Sequence, residues 1–103
     1  MLKAAFIFVA PAADSQIHRA VVATPAVELT VVGVSNYQAA VTAARELSGQ
    51  GIAAIELCGG FGSEGVAAIK QAVNGKAVVG VVRFDNHPGL EGKSGDDLFQ
   101  RQA

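Results

Sequence analysis

Charge is scarce in this chain, and cysteine is scarcer. Of its 103 residues, 17% are charged, and the formal net charge is -1 with no basic block. Nucleic-acid binding needs a positive patch that tracks phosphates, so no nucleic-acid partner is expected. A single cysteine, Cys58, excludes an internal disulfide. That usage fits a reducing compartment, and a cytoplasmic location is expected. No apolar run approaches the length that carries a helix across a bilayer, so no membrane partner is expected either.

What the chain does have is apolar surface. Half its residues are hydrophobic, which is high for a chain whose length predicts one domain over 1–103. A chain of this size buries little of its surface alone, so the excess points to a homo-oligomer. The opening Met1–Asp14, with a lysine, an apolar run and small residues, has a superficial likeness to a leader. Its apolar part is short for one, and Ala4–Val9 is expected to be the first buried strand.

Four apolar runs stand out: Ala4–Val9, Val27–Val34, Ala53–Leu57 and Ala77–Phe84. They are continuous rather than alternating, as in strands covered on both faces of a parallel sheet. Three helices are predicted between them. The first runs from an Asp14 N-cap to about Ala23, stopped by Thr24-Pro25, with Ile17 and Val21 facing the sheet. The second starts at a capping box, Ser35 to Gln38, and buries Tyr37, Ala40, Val41, Ala44 and Leu47. The third spans about Ser63 to Val73 and closes at Asn74-Gly75. The fold class is therefore α/β, a β-α-β-α-β-α-β open parallel four-stranded sheet of flavodoxin or half-Rossmann type. Its expected strand order is 2-1-3-4. The alternative is a (βα)4 half-barrel completed by a second chain. Val31–Val34 and Val78–Val81 echo each other, as a duplicated βαβ unit or two Val/Gly strands would. The tail, 86–103, is rich in glycine and charge but holds Leu98-Phe99. These two are expected to anchor it on the domain or on a neighbouring subunit, from a short helix beginning near Ser94 or Asp96.

Open parallel sheets bind ligands beyond the carboxyl ends of their strands. Here that edge collects Pro11, Asp14, Ser35, Asn36, Cys58, the glycines after it, and Arg83, Asp85, Asn86 and His87. Gly60-Phe61-Gly62-Ser63-Glu64-Gly65 spells G-x-G-x-x-G, with Asp85 at a suggestive offset. A dinucleotide fingerprint would follow the first strand, however, and Glu64 puts a carboxylate in the first helical turn. No cofactor is expected. Backbone amides at a helix start suit a smaller anion, a carboxylate or a single phosphate. The same glycines also suit a tight turn that lets the helix pack close.

Gly59, Gly60, Phe61, Gly62, Ser63, Arg83 and Asn86 are thus candidate ligand-binding residues, with Arg83 as the anion clamp. Glu56 interrupts an apolar strand. A buried carboxylate there needs a partner such as Arg83, or takes up a proton and serves as a general base. Cys58 as nucleophile, His87 as base and Asp85 as its orienting group make a possible Cys/His/Asp arrangement. A lone cysteine at a strand end is also a small buried apolar residue. No metal-ligand spacing is present.

The segments "IELCGGFGSEGV" (Ile55–Val66) and "GVVRFDNHPGLEGKSGDDLF" (Gly80–Phe99), with "KAAFIFVAP" and "ELTVVGV" before them, resemble a family of short bacterial proteins that form a domain of unknown function. The resemblance implies a free-standing single-domain bacterial protein. It carries over no activity, substrate or functional residue. The expected function is binding of a small anionic metabolite at the carboxyl edge of the sheet, with Cys/His/Glu chemistry as a possibility. The alternative is a non-catalytic oligomeric module.

Overall fold

The computed structural model describes residues 1–84 and 87–100. Within them lie β1 (Leu2–Val9), β2 (Arg19–Ala23), β3 (Val27–Val34), α1 (Tyr37–Gly49), β4 (Ala54–Leu57), α2 (Ser63–Val73), β5 (Val78–Val81), a 3-10 turn (Pro88–Leu90) and α3 (Gly95–Phe99). The five strands form one mixed sheet in the order β2-β3-β1-β4-β5. β3, β1, β4 and β5 are parallel neighbours, so the four expected strands take the order 2-1-3-4. That order reverses direction after the first strand, whereas a half-barrel would step one way throughout.

The expected first helix does not form. Asp14 does start a turn: its carboxylate accepts from Gln16 N at 2.8 Å, and its carbonyl from the amides of Ile17 and His18. His18 Nδ1 then accepts from the Asp14 amide at 2.8 Å and closes the turn on itself. Arg19–Ala23 leaves as an antiparallel strand paired with β3. Val21 and Val22 are β-branched and suit a strand. The Thr24 hydroxyl accepts from Val27 N at 3.0 Å, shaping the hairpin that returns the chain into β3. Ile17 and Val21 are 71% and 58% exposed, not packed on the sheet.

This substitution of a strand for a helix decides the layering. The β3-α1-β4 and β4-α2-β5 crossovers step the same way across the sheet. Right-handed connections then put both helices on one face. Ala5, Ile7, Val32, Val34, Ile55 and Leu57, all fully buried, point into that side and meet Ala40, Ala44, Leu47 and Ile69 of the helices. The missing helix would have stepped the other way and covered the opposite face. Without it that face is open. Phe6, register partner of both Val31 and Glu56, and Phe8, partner of Gly33, lie on it half-buried.

α1 starts one residue later than expected. Asn36, rather than Ser35, is the N-cap, and its side chain accepts from Ala39 N at 2.8 Å. α2 matches its expected span and ends on Asn74 in the left-handed region. In the tail, residues 87–100 fold back on this same chain, with Leu90 and Phe99 buried in the core. α3 begins after Ser94, whose hydroxyl accepts from the Asp96 amide at 3.1 Å.

The two faces and the lost helix have a direct consequence for stability. Ile55→Ala removes a fully buried side chain and should lower the free energy of unfolding by about 2–5 kcal/mol. Ile17→Ala, in the turn that replaces the expected helix, should stay within about 0.5 kcal/mol. Urea denaturation of the two variants checks both values.

Candidate functional site

The glycine-rich loop after β4 leads into α2, and the first amides of α2 are not left open. The Asp96 carboxylate accepts from Glu64 N and Gly65 N, each at 3.2 Å. A carboxylate fits there because the first amides of a helix lack internal partners and carry partial positive charge. The N-cap position itself is Gly62, which has no side chain to do the job. An anion does therefore sit at this helix start, and it is the chain's own.

Tyr37, the first residue of α1, completes the arrangement. Its hydroxyl donates to Asp96 Oδ1 at 2.7 Å and accepts from the Gly62 amide at 2.9 Å. Its ring stacks on Phe61 with centroids 5.4 Å apart. Burial pushes the hydroxyl well above its ordinary range, Asp96 adds to the shift, and the Gly62 amide opposes it. Tyr37 thus stays a neutral donor.

Two glycines of the G-x-G-x-x-G match owe their identity to this packing. A Cβ on Gly62 would collide with the Asp96 carboxylate, and one on Gly65 would enter the Tyr37 ring. From the other side, a Cβ on Gly95 would run into the Gly60 carbonyl. The close approach is between parts of the chain, not to a dinucleotide.

Two cavities open beside this knot. The larger, about 590 Å³, lies between the start of α2, the exit of β5 and residues 90–96. Gly59, Phe61, Gly62, Ser63, Arg83 and His87 line it, six of the candidate residues, together with Phe84, Lys93 and Asp96. The smaller, about 390 Å³, is walled by Val9, Pro11, Cys58, Gly60, His87 and Phe99. His87 borders both.

His87 is half-buried, and its Nδ1 accepts from Gly89 N at 3.0 Å, capping the 3-10 turn. In the neutral ring the proton therefore sits on Nε2, which makes His87 a donor toward a ligand. Its ring lies 4.5 Å from that of Phe84, and Phe84 occupies the space above Gly59.

Cys58 Sγ accepts from Val9 N at 3.5 Å and Gly60 N at 3.3 Å. Among the described residues no hydrogen bond joins Cys58 to His87, and no three His, Cys, Asp or Glu side chains cluster so as to hold a metal ion. Asp85 and Asn86 lie outside the described residues.

Glu56 is exposed, contrary to the expectation of a buried carboxylate. The reason is the period of two along β4: Ile55 and Leu57 enter the core, and Glu56 emerges on the open face. It needs no buried partner there, and it lines neither cavity.

Tyr37, Lys93 and Asp96 were not among the candidates. Tyr37 reads as part of an apolar helix face and Asp96 as the start of a tail helix. Their link spans 59 positions, beyond any local pattern.

Fold and edge together define a small α/β domain with a mixed sheet, a self-capped glycine loop and cavities at the strand exits. The chain belongs to a family of unknown function (DUF6506), whose model matches residues 2–97. No curated protein and no solved structure matches it. No helix among the described residues is long and apolar enough to cross a membrane.

Tyr37 and Asp96 can be tested together. Tyr37→Phe leaves the Gly62 amide unpaired and should cost about 1–3 kcal/mol. Asp96→Ala uncaps α2 and should cost about 0.5–2 kcal/mol. A double-mutant cycle by chemical denaturation should show the two coupled.

Alkaline pH tests the tyrosine alone. The unfolded tyrosine loses its proton near pH 10 while the folded one keeps it. The unfolded state then binds fewer protons, so the stability that Tyr37 contributes is intact below about pH 10 and lost above it. Tyr37→Phe should flatten that decline in a comparison of unfolding midpoints across pH 9 to 11.

Proposed function

We propose that the protein binds a small anionic metabolite, a carboxylate or phosphate compound, in the larger cavity at the carboxyl edge of the sheet. One observation carries the reading. Arg83 and Lys93, two exposed cations on different segments, line a single cavity of about 590 Å³ with His87, Ser63 and the glycine loop. Arginine matches carboxylate and phosphate oxygens with paired donors, and lysine adds a point charge. Nε2–H of His87 and the Ser63 hydroxyl supply neutral donors.

The roles differ from those expected of a glycine loop. The α2 amides already hold Asp96, so the ligand's anionic group belongs on the Arg83 and Lys93 side of the cavity. Gly59, Phe61 and Gly62 form a wall. Binding is better supported than catalysis: Glu56 stands on the open face, and the hydrogen bonds of Cys58 go to backbone amides. A cytoplasmic setting fits the lone thiol.

Thermal unfolding in the presence of phosphate and of small mono- and dicarboxylates tests the proposal, with chloride at equal ionic strength as the control. A ligand at about a hundred times its Kd should stabilise the fold by about 2.7 kcal/mol, a rise in Tm on the order of 10 °C for a chain this small. Arg83→Ala and Lys93→Ala should each cut the shift. A shift unchanged in both variants would rule out this cavity as the anion site.

A further inference from the structure

We infer that the open face of the sheet is the interface of a two-fold dimer of this chain. The face is apolar from edge to edge. Val22 on the β2 edge and Val78 on the β5 edge are 58% and 71% exposed. Leu29, Val31 and Phe6 lie between them, half-buried. The one ionisable group within the strand registers on this face is Glu56. Soluble monomers rarely leave so continuous an apolar surface in water.

The size fits a second copy. Five strands spaced about 4.8 Å apart, four to eight residues long and about six on average, at about 3.3 Å each, give a face of roughly 24 by 20 Å. That is about 500 Å² in projection and more in accessible area, on the order of the ~800 Å² that each partner contributes to a standard stable complex.

A two-fold interface sets one patch against itself, so the patch must carry both projections and hollows. It does. Phe6 and Phe8 give bulk to the centre of the face, the Phe8 ring lying over Gly33, while Ala54 and Gly80 leave a hollow on β4 and β5; a Cβ placed on Gly80 would meet nothing within 4 Å. Two such sheets pack face to face at about 10 Å with strands about 30° apart.

Glu56 is compatible with this because of its position. It lies one strand in from the β5 edge, and its register partner on that edge is Gly80. With no side chain there, the carboxylate has a route to solvent at the rim. The interface is separate from the cavity of the proposed function, which opens at the strand exits, so either inference can fail alone.

Sedimentation equilibrium of the intact chain from about 1 to 100 μM, a range that brackets micromolar Kd values, should give twice the 10.5 kDa chain mass. The double variant Val22→Lys/Val78→Lys puts unpaired charges on both edges of the patch and should raise the dissociation constant at least about 100-fold. Ala67→Lys, on the exposed side of α2, should leave it unchanged. Should the double variant unfold, the unaltered protein supplies the answer. Solvent paramagnetic relaxation at Phe6, Val31 and Ala54 should fall as concentration rises, with no change at Ala67. A monomer throughout the range would overturn the inference and leave the face for another protein or a lipid surface. A dimer broken by Ala67→Lys and not by the sheet variant would overturn it equally.

Discussion

One carboxylate holds the ends of this fold together. Asp96 sits on the opening amides of α2 and receives the Tyr37 hydroxyl, and that hydroxyl accepts from Gly62 in the loop before α2. Three segments distant in sequence thereby meet at one point: the start of α1, the glycine-rich loop and the start of α3. A charged acceptor with three donors satisfies groups that would otherwise be costly to shield from water. It also places residues 87–100 across the strand exits, with Leu90 and Phe99 as apolar anchors. That segment forms the outer wall of both cavities, and the Asp96 contact ties it to the start of α2.

Much of the fold was legible because parallel strands announce themselves as unbroken apolar runs. The four runs became β1, β3, β4 and β5 in the expected order. The same signal misled on one point. An unbroken run implies cover on both faces, whereas here one face meets helices and the other is bare. β2 is hidden in the sequence for a related reason. Arg19–Ala23, bounded by Asp14 and Thr24-Pro25, satisfies the end signals of a helix as well as those of a strand. Pairing with β3 settles the matter, and pairing is not a local property. With a helix in that place, the sheet would have two covered faces and Glu56 a buried setting.

The site was legible by half. Knowing that ligands gather beyond strand exits was enough to bring Gly59, Phe61, Gly62, Ser63, Arg83 and His87 to one cavity. It could not say what the glycines were for. Spacing suggests a backbone shaped around a bound phosphate, but Gly62 and Gly65 are small because Asp96 and Tyr37 press against them. Glycine marks close approach without naming what approaches. The residues that do approach stand 25 and more positions away from the loop.

The self-supplied anion also narrows what the cavity can recognise. A nucleotide site built on a helix start uses backbone amides that are fixed in place and insensitive to side-chain motion. Here the Glu64 and Gly65 amides are taken by Asp96. On the proposed reading, recognition falls to Arg83 and Lys93, both exposed, and their contribution is screened by salt. The Asp96 carboxylate forms part of the same wall and repels a second anion placed beside it. A polyphosphate, whose charge would spread along the cavity, fits this arrangement poorly. A compact ligand with its negative group toward the cations and a hydroxyl or amine toward Asp96 fits it better. On the proposed reading, the substitution of Asp96 for an external phosphate turns a loop shaped like a nucleotide motif into a site for smaller, compact anions.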